Sequence, residues 1–184
     1  MLKKGMNKQE IEDFLNSKGD FVKIDHLTRF LKEDIPVDIK KFVYLKLAEI
    51  YEKKGMFNEA AKMFDNIALL SIAFSKKIKN YVKEAGLFIK AGYFDRADEA
   101  VRKAMGEANA SEKAEIHFTI KEFYKKQALI YEKEKRRNHA ARIYEKLLEM
   151  SLGEEEKQEI KKKLMELYDK LGRVRDYIRL KKGL

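Results

Sequence analysis

Apolar residues recur at three- and four-residue spacing along nearly the whole chain, and no stretch alternates apolar with polar residues as a half-buried strand would. With helix formers filling the intervals, the pattern predicts an all-α fold of about nine to ten helices. The single proline, Pro36, falls between periodic segments and marks a linker. Glycines punctuate the rest: Gly19, Gly55, Gly92 and Gly172 each follow one helical run and precede another, at spacings of 36, 37 and 80. A period near 37 means a recurring unit, and 80 is 37 plus a 43-residue interval from which one turn glycine is missing; Lys135 stands in that gap. Asn7, Asp38 and Ser111 are the expected N-caps, and Glu154, Glu155 and Glu156 crowd a first turn where carboxylates suit the positive end of the helix dipole.

Aligning the copies on their turns exposes the unit. Leu47, Ala48, Tyr51, Gly55, Ala60, Phe64 and Ile67 of the first full copy are matched by Glu84, Ala85, Phe88, Gly92, Ala97, Val101 and Ala104 in the second. The third supplies Gln127, Ala128, Tyr131, Lys135, Ala140, Tyr144 and Leu147, and the fourth Leu164, Met165, Tyr168, Gly172 and Tyr177. Such a register suits paired helices, because a small residue lets one helix approach its neighbour and a large aromatic one turn later fills the space beyond. The framework in "LAEIYEKKGMFNEAAKMF" (47–64) and "AGLFIKAGYFDRADEAV" (85–101) resembles the tetratricopeptide repeat (TPR) family. That resemblance implies antiparallel helix pairs stacked as a right-handed solenoid, with repeats at about 38–73, 76–108, 111–151 and 154–184. It divides the chain into an N-terminal helical pair, 1–36, acting as a divergent repeat or cap, and a repeat domain, 37–184. In the third copy the first helix is expected to span 111–134, about 36 Å at 1.5 Å per residue, long enough to protrude and serve as a homodimerisation or docking element.

Composition then narrows the function. The chain has no Cys, three widely separated histidines (His26, His117, His139), no Gly-rich phosphate loop and no nucleophile elbow. We therefore expect no enzyme, no metal and no cofactor. The mainly apolar stretch 67–74 is too short to cross a bilayer, and no apolar leader follows the first lysines, so neither a membrane partner nor a signal peptide is expected. Cysteine usage points to the cytoplasm, and 39% charged residues with few Gln point to a thermophilic source.

Two surfaces are left to bind with. The resemblance puts Phe42, Leu45, Glu49, Val82 and Ile89 on the inner face of the first helices, a partly apolar peptide groove in the N-terminal half. The Lys and Asn of the chaperone-binding carboxylate clamp are replaced there by Leu45 and Glu49, so that specificity is not expected. In the later copies the same face is a ladder of both signs that includes Glu132, Glu166 and Lys170. The net charge of +10 is also uneven, with +7 lying after residue 100. Lys133, Lys135, Arg136, Arg137 and Arg142, with His139, surround the third turn, and Arg173, Arg175, Arg179 and Lys182 follow the fourth. Equivalent turns of consecutive repeats fall on one edge of a solenoid, so these cations should form a basic ridge. Nearby Tyr131, Tyr144 and Tyr177 are candidates for stacking on bases. The expectation is a non-enzymatic scaffold that binds an acidic macromolecule, a ribosome or other RNA–protein assembly, through the ridge. The alternative is a protein–protein adaptor that seats a helix or peptide in the N-terminal groove without nucleic acid.

Overall fold

A computed structural model describes residues 1–183 as ten α-helices and, among the described residues, no strand. They are α1 (Lys8–Asn16), α2 (Asp20–Phe30), α3 (Val37–Lys53), α4 (Phe57–Leu69), α5 (Phe74–Ala91), α6 (Phe94–Glu107), α7 (Ala110–Lys133), α8 (Arg137–Leu148), α9 (Glu154–Lys170) and α10 (Val174–Lys182). Contacts divide the chain into two compact units, Met1–Ile116 and the remainder from His117, so the division falls within α7. Residues 1–36 share a core with α3 rather than standing apart: Leu2, Ile11, Leu15, Leu27, Phe30 and Ile35 form one cluster with Ile39, Val43 and Leu47.

The turns explain the 37-residue rhythm. Gly55, Gly92 and Gly172 occupy the left-handed region at φ 71°, 79° and 67°, and Lys135 does so at φ 57°. At each turn the next amide donates back to the carbonyl of the framework aromatic five residues earlier: Met56 to Tyr51 (2.8 Å), Tyr93 to Phe88 (2.9 Å), Arg136 to Tyr131 (2.8 Å) and Arg173 to Tyr168 (2.9 Å). This is the Schellman closure, which satisfies carbonyls that the helix end would otherwise leave unpaired. The third turn therefore keeps the geometry of the other three although its glycine is a lysine. Gly19 differs, since at φ −68° it is the extended N-cap of α2 and belongs to another kind of turn.

Burial follows the same register. Ala48, Ala85, Ala128, Ala60, Ala97 and Ala140 are all 0% exposed, and the leading positions Leu47, Glu84, Gln127 and Leu164 are buried in every copy. Only the last copy loosens, with Met165 and Tyr177 half-buried where the others have alanine.

Two of the expected caps shift. Asn7 caps α1, exchanging hydrogen bonds with Glu10. The cap of α7 is Asn109 rather than Ser111: its side chain accepts from the Glu112 amide (3.0 Å), and the Glu112 carboxylate accepts from the Asn109 amide (2.9 Å). α3 begins one residue after Pro36, whose preset φ suits a helix start, and Asp38 lies in the first turn, 3.8 Å from Lys8, instead of capping it. No helix of the described residues is long and apolar enough to cross a membrane.

Candidate functional site

The N-terminal groove does not assemble as expected. Ile89 is 1% exposed, part of a run from Glu84 to Ile89 in which every residue is buried because α5 packs against both α4 and α6. Phe42 packs on the N-terminal core cluster, with the Lys46 ammonium 5.4 Å from its ring centroid. Leu45, 40% exposed, and Glu49 stay at the surface, while Val82 is half-buried. One exposed leucine beside an acid is a poor apolar trough.

The cations of the C-terminal unit sort into two kinds. Arg173 is committed to the fold: its guanidinium meets Glu145 at 2.9 Å and Asp176 at 2.7 Å and stacks 4.5 Å from the Tyr168 ring centroid. Arg136, its equivalent one repeat earlier, lies 4.5 Å from the Tyr131 centroid and 3.5 Å from Glu134. Each follows the left-handed residue directly, and the Schellman closure lays its side chain over the framework aromatic. One-turn spacing along the sequence pairs Arg136 with Glu132 and Asp176 with Arg179; instead Glu132 accepts the Tyr144 hydroxyl at 2.8 Å, and Asp176 takes Arg173. Burial, with Arg136 and Arg142 beside it, holds the His139 pKa below the ordinary imidazole value, which works against its adding to this charge. Lys133, Lys135, Arg137, Arg175, Arg179 and Lys182 are exposed and form no ion pair among the described residues.

Nor do the tyrosines offer a stacking platform. Tyr131 and Tyr144 are buried framework residues, and Tyr177 is half-buried at the side of a groove.

Two clefts concentrate charge in this unit. The first, about 390 Å³, is lined by Glu132 of α7, Lys135 of the turn, Arg137 at the start of α8, and Lys163, Glu166, Leu167 and Lys170 of α9. Four cations from three elements thus gather with two carboxylates and Leu167, Lys163 also pairing with Glu159 on its own helix at 3.3 Å. The second, about 570 Å³, lies between α9 and α10, where Met165, Tyr177 and Leu180 are bordered by Lys161, Lys162, Lys181 and Lys182, with Glu166 and Asp169. Of the nine expected ridge residues, Lys135 and Arg137 reach the first cleft and Lys182 the second. Lys163 and Lys161 fall outside the sequence expectation. Lys163 could have been found from Leu167 and Lys170, which share its face of α9 at spacings of four and seven. Beyond the clefts, Lys121 (3.1 Å) and Lys125 both pair with Glu156, which holds that carboxyl below its ordinary pKa. Among the described residues no cluster of three or more His, Asp or Glu side chains is arranged to hold a metal ion.

The chain matches no protein-family model and no curated protein sequence.

Proposed function

We propose that the protein is a non-enzymatic, TPR-like helical-repeat scaffold whose C-terminal unit binds an acidic macromolecular partner, a ribosome or other RNA–protein assembly being the largest acidic surface of a cytoplasm. The observation that carries this reading is the set of exposed cations with no counter-ion among the described residues, two of them gathered with Lys163 and Lys170 into one preformed cleft. The repeated turn geometry at Gly55, Gly92, Lys135 and Gly172 supports the repeat part of the reading. The adaptor reading based on the N-terminal groove is weaker, since Ile89 is buried and Phe42 packs on the N-terminal core cluster.

The test is the salt dependence of binding to a polyanion. Six free cations, each neutralising one phosphate, predict a slope of log K against log[salt] of about −4 to −5. Arg137→Ala with Arg175→Ala and Arg179→Ala should weaken binding and flatten the slope. A slope near zero, or no loss in the triple variant, overturns the reading.

A further inference from the structure

We propose that the cleft formed by Lys135, Arg137, Lys163 and Lys170 is a binding site for an acidic peptide segment, with Glu132 and Glu166 reading the peptide's hydrogen-bond donors. This rests on the reading that the C-terminal unit engages an acidic partner, and it names the part of that partner which enters the cleft.

The charge of the cleft is mixed. Four cations and two carboxylates share about 390 Å³, a volume within the range of preformed ligand sites. A phosphodiester chain carries an anion at every step and would bring like charge against Glu132 and Glu166. An acidic peptide alternates carboxylates with backbone N–H groups, so it can satisfy cations and acceptors in one pass. The two acids are available for this. Glu132 gives one oxygen to the Tyr144 hydroxyl at 2.8 Å, and Glu166 is exposed with no ion pair among the described residues, the nearby Lys163 pairing instead with the exposed Glu159 at 3.3 Å.

No open aromatic face borders the cleft. Tyr131 and Tyr168 are buried beneath Arg136 and Arg173, and Tyr144 is buried with the Lys163 ammonium 5.9 Å from its ring centroid. Single-stranded nucleic acid draws about 1–3 kcal/mol per base from stacking on exposed rings, and the rings around this cleft are already covered.

The backbone at the cleft points the same way. A non-glycine residue in the left-handed region costs about 1 kcal/mol or more, and such outliers concentrate at functional sites. Three of the four equivalent turns use glycine, while the third holds Lys135 at φ 57°, and that lysine lines the cleft. The departure from the repeat therefore supplies a cation at this point.

The experiment titrates the full chain against two labelled probes by fluorescence anisotropy, a short peptide of alternating Glu and Ser and an oligouridylate. The peptide is expected to bind, and Lys163→Gln with Lys170→Gln should weaken it by about tenfold or more, the scale of lost charge-assisted hydrogen bonds. Arg175→Gln with Arg179→Gln, outside the cleft, should change it by less than about threefold. Glu166→Gln supplies a sign: it weakens peptide binding if the carboxylate accepts from the peptide, and strengthens binding if the ligand is simply an anion. Strengthening by Glu166→Gln, or indifference to the lysine pair, overturns the proposal. Binding of the oligouridylate but not the peptide overturns it while leaving the acidic-partner reading standing; binding of neither removes both.

Discussion

Replacing Lys135 by glycine should stabilise the fold while weakening binding, and the two effects have separate physical origins. Lys135 adopts φ 57° in a turn whose three counterparts are Gly55, Gly92 and Gly172. Left-handed backbone costs an L-residue about 1–2 kcal/mol through contact of Cβ with the following carbonyl. Glycine removes that contact but enlarges the unfolded ensemble by about 0.4–1 kcal/mol, so the net gain is about 0.5–1 kcal/mol. For a chain of this size, that raises Tm by about 1–4 °C. Lys135→Ala is the control, because it deletes the same charge and keeps the same strain, and it should leave stability within about 0.5 kcal/mol. Guanidinium denaturation followed by circular dichroism reads both. Lys135→Gly no more stable than Lys135→Ala would refute the assignment of a strained turn and, with it, the equivalence of the third turn to the other three.

Further expectations concern the core and the ridge. Burial, reinforced by Asp65, pushes the Glu84 carboxyl up from 4.5 to about 7 against the pull of Lys103, 3.5 Å away, and its second oxygen has no partner. The folded state thus holds this proton where the unfolded chain releases it. The group's contribution is fully present below about pH 4.5 and is lost as pH rises through 7, a change of roughly 3 kcal/mol, since each tenfold difference in proton affinity between folded and unfolded chain is worth about 1.4 kcal/mol. Glu84→Gln should match the parent near pH 4.5 and exceed its stability near pH 8; a difference constant with pH contradicts the role assigned to burial. Arg173→Ala, which loses two half-exposed ion pairs and the Tyr168 contact, should cost about 1–2 kcal/mol after allowance for screening, against less than about 0.5 kcal/mol for Arg175→Ala, both read by urea denaturation. Ala128→Leu should destabilise by about 1–3 kcal/mol through overpacking, whereas Met165→Leu at the equivalent, half-buried position should be nearly silent in the same assay.

The glycine turns and the small-residue register are legible in the sequence because both repeat at a fixed spacing, whereas two of the three N-caps fall a residue or two from where the sequence puts them. The glycine spacing locates the turns, and even the gap at Lys135 is visible as a missing member of a series, since backbone conformation at a turn depends on a few neighbours. Faces are harder. Periodicity cannot tell which side of α5 is open when both neighbours enclose it, so it places Ile89 in a groove that the residue does not reach. Nor can a charge count tell a cation held by its own chain from one available to a partner: Arg173 and Arg175 are equally basic and two residues apart, yet Glu145, Asp176 and the Tyr168 ring engage only the first. The face that Lys163 shares with Leu167 and Lys170 is legible from their spacing, but its meeting with Lys135 and Arg137 is not, because that comes from the third turn lying beside α9 in the fold.

Whether the third-turn cleft is where an acidic partner binds can be read residue by residue from an amide chemical-shift map of the full chain titrated with the alternating Glu and Ser peptide. Perturbations should concentrate at Lys135, Arg137, Lys163, Glu166 and Lys170, saturating together and fading as salt is raised. Perturbations centred on α3 and α5 around Leu45, or none at concentrations where anisotropy reports binding, would contradict a binding site in this cleft.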